Sequence, residues 1–345
     1  MPGPADAQIA VEALAKSMEA LDTSLASRLI QEYGAIHEQL QKDLSRLLVK
    51  MKQPGGLKPS QAMRLSQLRT LERQFASRVE RFARVAGEAI TDAQRAAVGL
   101  SVEGSRQVAS AGLPRGVTME TLARLEIGWA RLPEEAFQAF IGISGEGQPV
   151  GMLLAPLGEQ AAEGVKASIR SGIATGRGPR EIARNVRKVS GMPLSKALTI
   201  SRTEVNRSYR ESTRLNYSAN SHLVKGYRRL ATKDSRTCLA CIALDGTLYE
   251  NNEPLDAHPN CRCAMVPETL TYKDLGLDVP EDERPPNASS WFDEQDEATQ
   301  RKMMGGKAYE AYKDGRITLK DMVTTSTSSV WGKSSTVKSV KALGL

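Results

Sequence analysis

Apolar residues return every three or four positions along the first fifty residues: Val11, Leu14, Met18, Leu21, Leu25, Leu29, Tyr33, Ile36, Leu40, Leu44, Leu47 and Met51. That period puts them on one stripe of a helix over residues 7–51, either continuous or as two helices in line. Pro54-Gly55-Gly56 ends it. Residues 60–110 repeat the pattern with Leu68, Leu71, Phe75, Val79, Phe82, Val85 and Ile90. Two long amphipathic helices joined by a short Pro-Gly connection predict an antiparallel hairpin. Its stripes suit either the interior of a helical domain or an arm for docking and self-association through residues 1–110. Leu21, Leu25, Leu29, Leu71, Phe75 and Phe82 would be the contacts of such an arm.

The pattern then fragments. Gly112-Leu113-Pro114-Arg115-Gly116 breaks the helices, Met119–Phe140 reads as one more, and Gly142 to Pro149 is linker-like. Helices follow at about 157–173, at 179–190 with Pro179 in its first turn, and from Leu194 to about Ser221. Short strands run from Asn220 to about residue 267. Lys273–Glu297 is acidic, contains Pro285-Pro286 and reads as an exposed connector, followed by a helix over Asp296–Tyr312 and a stop at Gly315. The Ser/Thr/Lys-rich end, 324–345, predicts a flexible tail that is unstructured in isolation. The expected architecture is α+β and predominantly helical. It comprises a helical arm (1–150), a basic helical domain ending in a small Cys/His-stapled β module (151–270), an acidic connector with short helices (271–323) and the tail.

Composition narrows this picture. Aromatic content of 5 % over 345 residues suits helical assemblies better than a large β core. No run of about eighteen apolar residues exists to span a membrane. The start of the chain, MPGPADAQIAVEAL, lacks the basic and apolar regions of a signal peptide, so a reducing cytoplasm is expected. Charge is segregated. From Lys166 to Arg229 there are fifteen Lys or Arg against Glu181, Glu204 and Glu211, an excess larger than the net charge of +7 for the whole chain. Such a block fits salt-dependent, sequence-independent contact with double-stranded DNA through Arg170, Arg177, Arg180, Arg184, Arg187 and Lys188. It equally fits a solvated face paired with the acidic segment. No recognition-helix or base-stacking motif accompanies it.

The strongest chemical signal is the clustering of all four cysteines. Cys238, Cys241, Cys261 and Cys263 lie in one short segment with His258, one of three histidines. C-x-x-C followed by H-x-x-C-x-C is metal-ligand spacing, and a structural zinc is the reading it favours. Two disulfides or four free thiols are the alternatives. On an extended chain Cys261 and Cys263 share a face and Arg262 takes the other. Leu244-Asp245-Gly246-Thr247-Leu248 reads as a hairpin that would return the first pair of cysteines toward the second. Five donors compete for four tetrahedral positions, and spacing does not choose among them.

These residues carry a resemblance. Ser201-Arg202-Thr203-Glu204, the D-x-R-T-C-x-x-C-x-x-L-D-G run from Asp234 to Gly246, and His258-Pro259-Asn260-Cys261-Arg262-Cys263 resemble the Mu F-like minor head proteins of tailed bacteriophages. The likeness covers about 155–270; it departs at Tyr227, where relatives often have Trp. It implies a low-copy minor capsid and head morphogenesis protein of the virion. Such a protein sits at the portal or capsid interior after assembly in the host cytoplasm, and could leave with the DNA. It implies portal or capsid proteins as partners and no defined catalytic residues.

An enzyme is therefore not expected. The rival is a metal-dependent nuclease, since His258 and Asn260 follow a C-x-x-C pair, but His37 and His222 come without partner motifs. A zinc deaminase needs P-C-x-x-C after an H/C-x-E, and neither is present. Arg202 and Glu204 do not share a helical face, which favours a structural part: Arg202 pairing with the cysteine module, Glu204 with a basic neighbour. Arg207 and Glu211 are placed to form an i,i+4 pair.

Overall fold

The computed structural model describes residues 3–51, 66–124, 127–175, 177–280 and 284–345. The long stripes become two long helices, α1 (Pro4–Met51) and α2 (Ser66–Ala111). They pair antiparallel. Asp43 accepts from Arg78 at 3.2 Å, and the ring of Tyr33 meets that of Phe82 edge-on at 4.9 Å. Nearer the ends Gly104 lets Leu14 approach, and Gly3 donates to the Ala111 carbonyl at 2.9 Å. The Pro54-Gly55-Gly56 connection lies outside the described residues. Leu25, Leu29, Leu71, Phe75 and Phe82 are buried, and Leu21 is half-buried. These seam positions are thus packed within the chain.

Packing divides the chain into two compact units that do not follow its linear order. One comprises Met1–Leu21, Gln94–Ile141 and Thr203–Leu345; the other comprises Asp22–Ala93 and Gly142–Arg202. The long helices α1 and α2 each supply segments to both units.

In the second unit, α4 (Val150–Leu154), α5 (Leu157–Ala174) and α6 (Pro179–Ser190) join the helical segments from Asp22 to Ala93. Gly172 faces Ile182 so closely that an added Cβ would lie 2.5 Å from its Cγ1, so α5 and α6 pack nearly backbone to side chain. The helix α7 (Met192–Ala219) begins in this unit and ends in the other.

The first unit holds the β module. β1 (Val224–Leu230) is central, with β2 (Leu248–Glu250) and β3 (Ala264–Thr269) antiparallel on its two sides. Tyr227 is fully buried on β1 and stacks on Tyr249 with ring centres 5.3 Å apart. Leu113, Leu122, Tyr217, Leu223, Ile242 and Met265 share its core.

Several expectations fail in this unit for local reasons. The single helix over Met119–Phe140 is instead α3 (Met119–Arg124) and a 3₁₀ turn (Glu134–Phe140). Residues 127–133 have no regular structure, and Asn220 holds their backbone: its amide donates to the Ala130 carbonyl and accepts from the Ala130 N–H. The apolar run before Asp245 is not a strand but a helical turn, α8 (Leu239–Ala243), so no hairpin forms there. The acidic connector is exposed only in part. α9 (Ala288–Asp293) buries Ala288 and Phe292, while α10 (Glu297–Met304) and α11 (Gly306–Lys313) break at Gly305, where φ is +80°. The tail is ordered: β4 (Val323–Ser328) and β5 (Gly332–Val337) pair as an antiparallel hairpin, and Ser334 and Ser335 are buried.

Candidate metal centre

The four cysteines and His258 converge, and among the described residues no cysteine is in a disulfide. Cys238 caps α8, and its sulfur accepts from the Cys241 N–H at 3.4 Å. The helical turn thus places both sulfurs of the C-x-x-C pair on one side. The second set arrives on the chain leading into β3. Cys261 and Cys263 are both buried and Arg262 points away, the alternation expected of extended chain.

His258 joins the two sets. Its Nε2 lies 3.1 Å from the Cys238 sulfur and 3.2 Å from that of Cys241, and its Nδ1 lies 2.7 Å from the Pro259 carbonyl. The carbonyl can only accept, so Nδ1 carries a proton and Nε2 is the nitrogen turned toward the sulfurs. That is how a metal-binding histidine is oriented by its outer partner. Cys238, Cys241 and His258 form one close group of donors; Cys241, Cys261 and Cys263 form another. Cys241 belongs to both, and its sulfur is 3.8 Å from that of Cys261. With Zn–S bonds of about 2.3 Å, tetrahedral geometry sets sulfurs about 3.8 Å apart; the Cys241–Cys261 pair matches that spacing, and each group of three is of a chemistry that fits the ion.

The four thiols are shifted in opposite directions: Cys238 and Cys261 toward the thiolate, Cys241 and Cys263 toward the thiol. The hydrogen bond from Cys241 pulls the Cys238 thiol down to about 4 against the effect of burial, with His258 assisting. Hydrogen bonds from Cys241 and Cys263, and the charges of Arg210 and Arg229, hold Cys261 well below the usual thiol range. Burial works against a charged His258, but Cys238 and Cys261 prevail and raise it to about 9.

The surrounding residues explain the other motifs. Thr203, in the R-T-E run, accepts from the Asn260 N–H through its hydroxyl at 3.0 Å. Asn260 has φ of 64°, the one positive value outside glycine among the described residues, and this turn delivers Cys261. Arg210 is buried and donates to the Cys261 carbonyl at 3.3 Å. Asp234 grips Arg262 through both carboxylate oxygens, at 2.6 and 2.7 Å. The L-D-G corner is also structural. Asp245 accepts from Ala231 N–H and Ala288 N–H, both at 2.6 Å, and Gly246 takes φ of +77°. Spacing alone gives no signal for Thr203, Arg210 or Arg229, whose contacts are long-range.

Arg202 pairs with Asp22 at 2.8 Å and not with the cysteine module. Glu204 is buried and does meet a basic neighbour, Arg207, at 2.8 Å. Glu211 bonds Arg214 instead of Arg207, so the expected i,i+4 pair is replaced by two i,i+3 pairs. His222 Nε2 sits 2.8 Å from the Gly128 carbonyl, and His37 meets the Ser190 hydroxyl at 3.2 Å.

The basic block separates into two populations. Arg170, Arg177, Arg180, Arg184, Arg187 and Lys188 are exposed on α5, α6 and the turn between them, with Arg177 near Glu181 at 3.2 Å. On α7 and β1, by contrast, Arg207, Arg214, Arg228 and Arg229 are ion-paired, and Arg210 and Arg229 are buried. Part of the sequence excess is therefore neutralised by acidic partners within the chain.

Residues 163–266, which take in most of α5, all of α6 and α7, and nearly the whole β module, match the family described as Phage Mu protein F like protein. The chain thus carries a phage Mu F-like domain over these residues. No curated protein and no solved structure matches it. No helix among the described residues is long and apolar enough to cross a membrane.

Proposed function

We propose that this chain is a structural minor head protein of a tailed bacteriophage, acting in head morphogenesis at the portal or inner capsid. Its β module is stapled by one zinc ion on Cys238, Cys241, His258 and Cys261. The observation that carries the zinc assignment is the approach of His258 Nε2 to two cysteine sulfurs while Nδ1 is engaged by Pro259. Cys261 completes the set through its 3.8 Å separation from Cys241, and Cys263 lies behind it as a buried neighbour. The ion would supply cross-linking, for α8, β2 and the approach to β3 are too short to hold one another unaided.

The proposed role is architectural: the four cysteines and His258 converge in two groups that share Cys241, enough donors to close one ion. The family match supports placement in the phage head. The exposed cations of α5 and α6 support non-specific contact with packaged DNA, and the chain leaving with it would follow from such contact. Quantitative mass spectrometry of purified heads, combined with cross-linking, tests the placement. The expected result is a low-copy component cross-linked to portal or capsid protein. Its absence from heads that package DNA would remove this reading. Plasmid nicking by the zinc-loaded protein would favour a nuclease instead.

A further inference from the structure

Among the described residues Arg229 is the largest fully buried side chain, with 0 % of that side chain exposed. A guanidinium withdrawn from water is costly unless anions surround it. Its Nη2 lies 3.9 Å from the sulfurs of both Cys241 and Cys261. Its Nη1 donates to Asp256 Oδ1 at 2.9 Å, and the Tyr249 hydroxyl donates to the same oxygen at 2.8 Å. The other oxygen of Asp256 accepts from the Ser335 hydroxyl, and the Asp256 carbonyl accepts from Ser335 N–H at 2.9 Å. Ser335 is buried on β5 and faces Thr325 of β4, hydroxyl to hydroxyl at 2.9 Å. A continuous polar chain therefore runs from two metal-ligand sulfurs through Arg229 and Asp256 to the C-terminal hairpin.

A second path reaches the same hairpin. α8, which begins at Cys238 and carries Cys241, packs against both β4 and β5. Five residues of helix do not persist alone, so its position depends on what holds its cysteines. The hairpin is itself a two-stranded sheet rich in Ser and Thr, with β4 largely exposed, and such a sheet is marginal unless it is docked.

We infer that Arg229 is the counter-charge of the metal–thiolate centre and that, through Asp256 and α8, occupancy of the centre controls docking of the C-terminal hairpin. Metal-bound thiolates are anionic and fix the guanidinium. The guanidinium fixes Asp256, and Asp256 holds Ser335. Loss of the ion releases both paths at once, leaving the segment after Met322 free as an adhesive strand pair. This rests on the zinc assignment above.

Hydrogen exchange on the full-length protein, with zinc measured in every sample, tests it. Chelation under reducing conditions should speed exchange across 323–337 by about tenfold or more, while α5 changes little. Ser335→Ala should keep its zinc yet speed exchange in the same hairpin. If the untreated protein contains no metal, the zinc assignment and this inference fall together. If zinc is bound but its removal leaves 323–337 as protected as before, or Ser335→Ala does not alter the hairpin, the coupling alone is overturned.

Discussion

The hydroxyl of Thr203 on α7 accepts a hydrogen bond from the main-chain N–H of Asn260 at 3.0 Å, across 57 residues of sequence. Asn260 is held in the left-handed region, and the next residue is the proposed ligand Cys261. One contact thus joins the R-T-E run to the H-P-N-C-R-C run and explains why a helix motif and a cysteine motif belong to a single device. Thr203→Val, which keeps the shape and removes the acceptor, should weaken zinc affinity by about tenfold or more, as loss of supporting partners does elsewhere. Competition with a chromophoric chelator measures it. Wild-type affinity in this variant would leave the turn self-sufficient.

Asp234 makes a second support whose strength depends on pH. The paired hydrogen bonds from Arg262 hold its carboxyl well below the ordinary carboxylate range. A depressed folded value stabilises the protein above the unfolded value near ~3.9, and that contribution is lost as pH falls from there through the folded value. The carboxylate is 30 % exposed, so solvent screens the pair and the expected loss in Asp234→Asn is ~1 kcal/mol at pH 7. Denaturant unfolding of both proteins should show that difference at neutral pH and its shrinkage in strong acid. A difference that grows on acidification contradicts the assignment.

Asp245 tests the reading of the L-D-G corner as architecture. Its two oxygens accept from Ala231 and Ala288, joining the end of β1 to α9. Asp245→Ala leaves both N–H groups without that acceptor and should cost about 2–4 kcal/mol by the usual penalty for buried unpaired donors. Thermal unfolding at fixed zinc reports it, and a change within a few tenths of a kcal/mol would contradict the role.

Much of this fold is legible in the sequence because long periodic patterns leave little choice. The stripes from Val11 to Leu47 and from Leu68 to Ile90 become α1 and α2, and the alternation Cys261-Arg262-Cys263 survives as buried, half-buried, buried. The donor set is equally legible, since ligand spacing is a local property. Less is visible where local pattern and tertiary context disagree. Leu239–Ala243 is a short apolar run that suits strand and helix alike, and Cys238 decides it by capping the turn. The terminal Ser/Thr stretch looks unable to bury surface, yet Ser335 is satisfied by Asp256 from far away in the chain. Arg229 counts as one more positive charge until its burial among sulfurs is seen.

That distinction bears on DNA. The proposed DNA contact assigns phosphate to the exposed cations of α5 and α6. Replacing Arg180, Arg184, Arg187 and Lys188 with Gln should therefore weaken binding to duplexes of any sequence. The salt slope should fall by about one for each phosphate that is no longer neutralised. Fluorescence anisotropy across a salt series measures both quantities. Unchanged affinity and slope would assign the face to a protein partner.

The most direct measurement is metal content. Full-length protein purified under reducing conditions, without added metal, should carry about one zinc per chain by elemental analysis. Cys241→Ser, which removes the donor common to both close groups, should carry almost none. A folded protein free of metal, with four reactive thiols and an unchanged β module, would contradict the account.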